Sequence, residues 1–157
     1  MIVVTGATGF VGQEVVRRAR ADGHPVRAVV RDTTRARWLA RDFGVELFRG
    51  DVLFAPSLEG SMQAAQCVIH LVGIINEWRE NTFERVHTQA TMNVTDAAKK
   101  AGVKRYIHMS ALGTRPGARS RYHRTKWAAE EYVRQSGLAW TVFRPSLIYG
   151  SRDKSIN

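Results

Sequence analysis

Short runs of almost uninterrupted apolar residues recur at 2–4, 26–30, 45–48, 67–72, 104–109 and 138–143, and stretches with helical periodicity separate them. A strand with one solvated face alternates apolar and polar residues. These runs do not alternate, so each strand is buried on both sides and needs helices on both faces of its sheet. Parallel neighbours also need long crossovers, which the intervening stretches supply. The pattern predicts an α/β fold with a doubly wound parallel sheet of about six strands.

The helical stretches can be placed by their caps and stripes. Val11, Val15 and Ala19 share one face of the first, Arg17, Arg18 and Arg20 the other, and Gly23 ends it. Thr33 or Thr34 can cap the second, with Trp38, Leu39 and Phe43 inward and Gly44 at its end. Pro56 sits just before a short helix near Ser57. The strongest periodicity runs through Phe83, Val86, Ala90, Val94, Ala97 and Ala101, and Asn81 with Glu84 has the spacing of a capping box. Lys99, Lys100 and Gly102 form its C-terminal ending. A last helix spans 120–136 and stops at Gly137.

Composition excludes several classes. The 157 residues suit one domain, 44% hydrophobic content rules out wholesale disorder, and the single Cys67 excludes an intramolecular disulfide or a Cys-based zinc site. The five histidines show no metal-ligand spacing, so no metal is expected. The most apolar run, Cys67 to Ile75, is far shorter than the roughly 20 residues of a membrane helix. No export signal precedes Ile2. A soluble, cytoplasmic protein, at most peripheral to a membrane, is expected. With 24 Lys+Arg against 14 Asp+Glu the net charge is +10, which raises nucleic acid, anionic membrane or a phosphorylated ligand as partners, beside a merely solvated basic surface.

The first strand leads straight into Gly6-Ala7-Thr8-Gly9-Phe10-Val11-Gly12 and then a helix. Gly6 permits the turn off the strand, Gly9 lets a pyrophosphate approach the backbone, and Gly12 lets helix and strand pack closely. The helix N-terminus offers unpaired N–H groups and partial positive charge to phosphate. Strand, glycine loop and helix in one βαβ unit make a dinucleotide-binding Rossmann domain, for which the strand order is 3-2-1-4-5-6. The second strand ends at Arg31-Asp32. An acid there binds the ribose diol of NAD, whereas an arginine pairs with the 2′-phosphate of NADP. Both are present, and Arg35 and Arg37 follow, which favours NADP(H) with NAD(H) as the alternative.

Tyr122-His123-Arg124-Thr125-Lys126 places a phenol and an ammonium at i and i+4 on one helix face. A nearby Lys⁺ favours phenolate and is expected to lower the tyrosine pKa from about 10, making a general acid/base. Ser110, at the carboxyl end of the fifth strand, could orient a substrate oxygen. His24 and His123 read as solvated and His70 and His108 as packed or hydrogen-bonded. The four tryptophans, Trp38, Trp78, Trp127 and Trp140, read as packing residues.

TGATGFVG (5–12), GD (50–51), VIHLVG (68–73), AAKKAGVKRYIHMSALG (97–113), YHRTK (122–126) and RPSLIYG (144–150) occur in an order that resembles the extended and atypical short-chain dehydrogenase/reductases, the NAD-dependent epimerase/dehydratase-like proteins. SRYHRTK and RPSLIYG resemble most the group containing the nucleotide-binding accessory subunit of respiratory complex I. The resemblance implies that Gly6, Thr8, Gly9, Phe10, Val11 and Gly12 surround the pyrophosphate and that Arg31 meets the 2′-phosphate. Asp51 and Val52 would flank the adenine, and Leu71, Val72 and Gly73 would line a ribose. Lys126 would hold the nicotinamide ribose, with Pro145 near the nicotinamide. The family usually has HLAA where this chain has 70–73, an asparagine where it has His87, and RPxNVYG where it has Ser146-Leu147. Family members continue into a smaller substrate region, so residues 1–157 are expected to be the cofactor domain alone.

Three functions remain open. One is an NADP-dependent oxidoreductase or epimerase-like enzyme acting on an unknown small molecule through Tyr122, Lys126 and Ser110. The second is a non-catalytic NADP(H)-binding structural or assembly protein, as a homo-oligomer or in a respiratory complex. The third, binding of nucleic acid or membrane through the basic charge, is the least favoured.

Overall fold

Strand β1 (Ile2–Thr5) has Val3 and Val4 pointing to opposite faces, and both are fully buried. That pair shows why the central apolar runs do not alternate, since those strands serve two cores, whereas the edge strands Glu46–Arg49 and Ala139–Phe143 have no fully buried residue, contrary to the expectation of burial on both sides. The computed structural model describes residues 1–150. Its chain order is β1, α1 (Phe10–Ala21), β2 (Val26–Val30), α2 (Arg37–Phe43), β3 (Glu46–Arg49), a 3₁₀ turn at Ala55–Leu58, and β4 (Cys67–His70). A π-helical turn, Glu84–Gln89, then leads into α3 (Ala90–Lys100), followed by β5 (Arg105–Met109), α4 (Arg121–Arg134) and β6 (Ala139–Phe143). All neighbours are parallel and the six strands lie in the order β3-β2-β1-β4-β5-β6, a Rossmann sheet.

One core, holding Val4, Val16, Ala28, Leu39 and Val45, lies beneath α1 and α2. The other, holding Val3, Val68, Met62, Val94, Tyr106 and Val133, lies beneath α3 and α4. Burying each such valine or leucine contributes about 1.5–3 kcal/mol before entropy is counted.

Several local expectations are corrected. Strand β4 ends at His70, so Leu71 and Val72 leave the sheet. The buried stripe of α1 is Gly12, Val16 and Ala19, with Val15 half-buried. Arg17 and Arg18 face outward but pair with Glu14 and Asp22. Arg20 folds back to donate to the carbonyls of Phe43 and His24, so the helix is not an open basic face. Neither Thr33 nor Thr34 caps α2. The Asp32 carboxylate instead accepts from the Thr34 and Arg35 N–H groups. Asn81 and Glu84 do not form a capping box: Thr82 Oγ1 accepts from Arg85 N, Asn81 bridges to Trp78, and Glu84 pairs with Arg121. Val86, Ala90 and Val94 are buried as the spacing predicts, but the buried face is wider than that stripe and also takes in His87, Thr91, Thr95 and Ala98, while Ala101 is exposed. Ser120 does cap α4, its side chain accepting from His123 N.

Glu130 of α4 is fully buried yet charged. Arg144, just past β6, grips it through two bonds of 2.9 and 2.6 Å, and Arg134 adds one of 2.6 Å. Arg134 also lies over the Trp127 and Trp140 rings, and Arg144 over Trp127. The cluster ties the exit of β6 to α4. Removing one partner of a buried ion pair costs about 3–5 kcal/mol, because the other charge is left without compensation. Glu130→Ala should lower the urea unfolding free energy by about 3 kcal/mol, the low end because both arginines are partly exposed. A loss too small to resolve would contradict this account of the cluster.

Candidate functional site

The turn from β1 into α1 is held by contacts that admit no side chain. Gly6 has φ +78°, and the Gly9 N–H donates to its carbonyl at 3.0 Å. A Cβ on Gly12 would run into that same Gly6 carbonyl oxygen and come within 2.8 Å of Ala7 Cα. The first intrahelical bond is from Gln13 N to Gly9 O. The N–H groups of Phe10, Val11 and Gly12 therefore precede it, no side chain caps them, and no acid lies in the first turn. This is an anion cradle: bare donors at the positive end of a helix, with a Cβ at Gly9 meeting only the Gly6 carbonyl oxygen, at 3.2 Å.

The cradle opens into a cleft of about 1260 Å³ across the carboxyl ends of β1 to β4. Gly6, Thr8, Gly9, Arg31, Asp51, Val52, Leu71, Val72 and Gly73 line it, while Phe10, Val11 and Gly12 form the helical turn behind it. Gln13, Trp38, Ile74 and Asn81 also line it, which the sequence did not reveal. Trp38 packs edge-on against Phe43 as well as facing the cleft. The Asn93 side chain donates to the Val52 carbonyl at 2.8 Å and fixes that wall from behind.

At one end, Asp32 is already engaged. Two backbone N–H groups donate to Oδ1 at 2.9 and 3.0 Å and Arg35 lies 3.6 Å away. These contacts, first the Arg35 N–H, hold the carboxyl below its usual range. Arg31 is exposed on the same rim and makes no ion pair among the described residues. Arg37, the first residue of α2, is not part of the cleft lining.

At the other end, Gly73 closes over Lys126. A Cβ on Gly73 would stand 3.1 Å from Lys126 Nζ, which donates to the Met109 carbonyl at 3.1 Å. Burial pushes the Lys126 pKa down to about 8. Tyr122 is half-buried against His87, Phe83 and His123, at ring separations of 5.0, 5.6 and 5.1 Å. Burial raises its phenol pKa rather than lowering it, because Lys126 is turned onto the Met109 carbonyl. His123 is therefore packed rather than solvated, with Nδ1 3.2 Å from Thr114 Oγ1. Ser110 is buried beside the Glu130 carboxylate, and none of Ser110, Tyr122, Lys126 and Pro145 is in the cleft lining, which at this end is Gly73, Ile74, Asn81 and Val86. The Pro145 carbonyl accepts from Leu112 N at 2.8 Å.

Three buried histidines underlie this end. His70 bridges Thr5 and Thr91 and stacks on His108 at 5.7 Å. His87 reaches Thr125 Oγ1 at 3.0 Å and the Ile74 backbone at 2.9 Å, strapping the loop after β4 to α4. Desolvation, with Lys126 adding repulsion, pushes His87 down to about 4 and His108 to about 3, and burial holds His70 well below its normal value. Unfolded imidazoles titrate near 6.5. Between about pH 6.5 and 4 the unfolded chain takes up protons that the folded chain refuses, so stability is complete above that window and lost on acidification through it. The urea midpoint should fall steadily from pH 6.5 to 4.5, above the carboxylate range. A flat profile there would contradict neutral buried histidines.

Among the described residues no group of three or more His, Cys, Asp or Glu could hold a metal ion, and no helix is long and apolar enough to cross a membrane. The sequence model of NAD(P)H-binding domains matches residues 6–155. Ceramide reductase of Caulobacter vibrioides is 34% identical over 98% of this chain and 48% of its own length. The mitochondrial NADH dehydrogenase [ubiquinone] 1 alpha subcomplex subunit 9 of Rattus norvegicus is 33% identical over 98% of the chain and 42% of its own. The NADPH complex of the NADPH-dependent quinone oxidoreductase of Escherichia coli superimposes with a TM-score of 0.75 at 25% identity, covering 92% of this chain and 48% of that one. The chain spans about half the length of the curated relatives it matches.

Proposed function

This chain belongs to the NAD(P)H-binding family, within the extended short-chain dehydrogenase/reductase group, and from that premise we propose that it is an NADP(H)-dependent reductase of a small carbonyl-type substrate. The observation that carries the cofactor choice is the contrast between Asp32 and Arg31. One oxygen of the carboxylate that would bind a ribose diol, Oδ1, is taken by its own loop, and the neighbouring Arg31 guanidinium makes no ion pair among the described residues. An unpaired guanidinium at that rim suits a 2′-phosphate.

The cradle of Phe10, Val11 and Gly12 N–H groups takes the pyrophosphate, and Val52 and Asp51 form the adenine wall. Gly73, bare of a side chain, brings the loop after β4 against Lys126, which faces the ribose nearer the nicotinamide. When bound, the nicotinamide supplies or accepts a hydride. Tyr122, with its phenol pKa raised by burial, is protonated at neutral pH and so donates to a developing alkoxide. Lys126 stays largely ammonium below its pKa of about 8 and, if it turned from the Met109 carbonyl toward Tyr122, would stabilise the phenolate left behind.

A non-catalytic cofactor-binding role, like that of a structural subunit, draws on the placement of Ser110 beside Glu130 and on the absence of Ser110, Tyr122 and Lys126 alike from the cleft lining. Two variants separate the readings. Arg31→Ala should weaken NADPH binding about 10- to 100-fold, the loss of a charged hydrogen bond, and leave NADH binding unchanged. Tyr122→Phe should lower NADPH-dependent carbonyl reduction about 10²- to 10⁴-fold with NADPH affinity within about twofold of the parent. Tight NADPH binding without turnover across a carbonyl panel, in the parent protein, would favour the structural role.

A further inference from the structure

The basic charge of this chain is unevenly neutralised. Along the flanks, arginines are paired with nearby acids: Arg17 with Glu14, Arg18 with Asp22, Arg27 with Glu46 and Arg41 with Asp42. Past the carboxyl ends of β4 and β5 the pattern changes. Arg79, Arg115, Arg119 and Arg124 are exposed and make no ion pair among the described residues. The acids of that region, Glu77, Glu80 and Glu84, are taken by Arg121 and Arg85. The same region exposes large apolar side chains: Ile75 at 69%, Trp78 at 71% and Leu112 at 65%.

These groups sit on built backbone. Trp78 and Asn81 exchange backbone bonds of 3.2 and 3.0 Å across a tight hairpin, with Arg79 at φ +52° between them. Arg121, at the start of α4, grips Glu77 at 3.0 Å and anchors the hairpin base, while Leu112 N is bonded to Pro145 O. Arg79 lies over the Trp78 ring at 5.8 Å, so cation and indole project together. Indole is the side chain that settles at a membrane–water interface, and clustered arginine is drawn to anionic headgroups. A merely solvated face needs no exposed tryptophan beside two exposed aliphatic residues, and nucleic-acid binding would leave Ile75 and Leu112 without a partner.

We propose that the tip of the 74–81 hairpin and the loop after β5 form a docking face for an anionic phospholipid bilayer. Trp78, Ile75 and Leu112 enter the interface, and the unpaired arginines contact headgroups. The face adjoins the Gly73 end of the cleft, so a docked molecule would present that end to the bilayer surface. The inference is independent of whether the site turns substrate over.

The test is cosedimentation of the chain with phosphatidylcholine vesicles that contain or lack phosphatidylglycerol, at low and at high salt. Binding should require phosphatidylglycerol, fall with salt, and weaken about fivefold for each of Arg115→Gln and Arg119→Gln. Trp78→Ala should abolish sedimentation while leaving the melting temperature and NADPH affinity unchanged. Failure to bind anionic vesicles would overturn the proposal, as would full binding by Trp78→Ala. So would self-association lost in the same variants, which would assign the face to a second copy of the chain.

Discussion

The contact between Gly12 and the Gly6 carbonyl fixes everything downstream of the first strand. No Cβ fits there, so α1 starts against the carboxyl end of β1 with three N–H groups left free of intrahelical bonds. A larger residue would have to push the helix outward, and the cradle would open. Because β1 is central, paired on both sides by β2 and β4, that displacement would reach the whole cleft. The phosphate site is thus a property of backbone packing at one corner.

The two ends of the cleft are specialised by different physics. At the Arg31 end the deciding quantity is which charges are already satisfied, and Asp32 commits one of its two oxygens to capping its own loop. At the Gly73 end the deciding quantity is desolvation. Lys126, Tyr122 and three histidines are packed closely enough that burial, more than any neighbouring charge, sets their protonation. The π-helical turn delivers His87 into this cluster, where it straps the loop after β4 to the helix carrying Tyr122 and Lys126.

Much of the fold was legible because its determinants are local. The apolar runs gave all six strands within a residue or two, and the glycine spacing placed the phosphate turn. Legibility ended where one residue had several potential partners. Asp32 could have faced a ligand or its own loop, and only the loop geometry decides. The inward stripe through Val86, Ala90 and Val94 held, but the π-helical turn widens the buried face to take in His87, which the 3.6-residue spacing did not signal. The Tyr122–Lys126 spacing correctly set both on one helix but carried no information about burial, which reverses the expected direction of the tyrosine shift. Ser110 was placed by its strand end, yet the pleat that alternates Tyr106, His108 and Ser110 turns it toward Glu130.

The most direct test of this account is calorimetric titration of the chain with NADPH and with NADH under the same conditions. Saturable one-to-one binding of both, with NADPH clearly the tighter, is the predicted result, since the cradle serves either pyrophosphate and only Arg31 meets a 2′-phosphate. Absence of binding by either nucleotide would contradict the cradle, and equal affinity would contradict the assignment of Arg31.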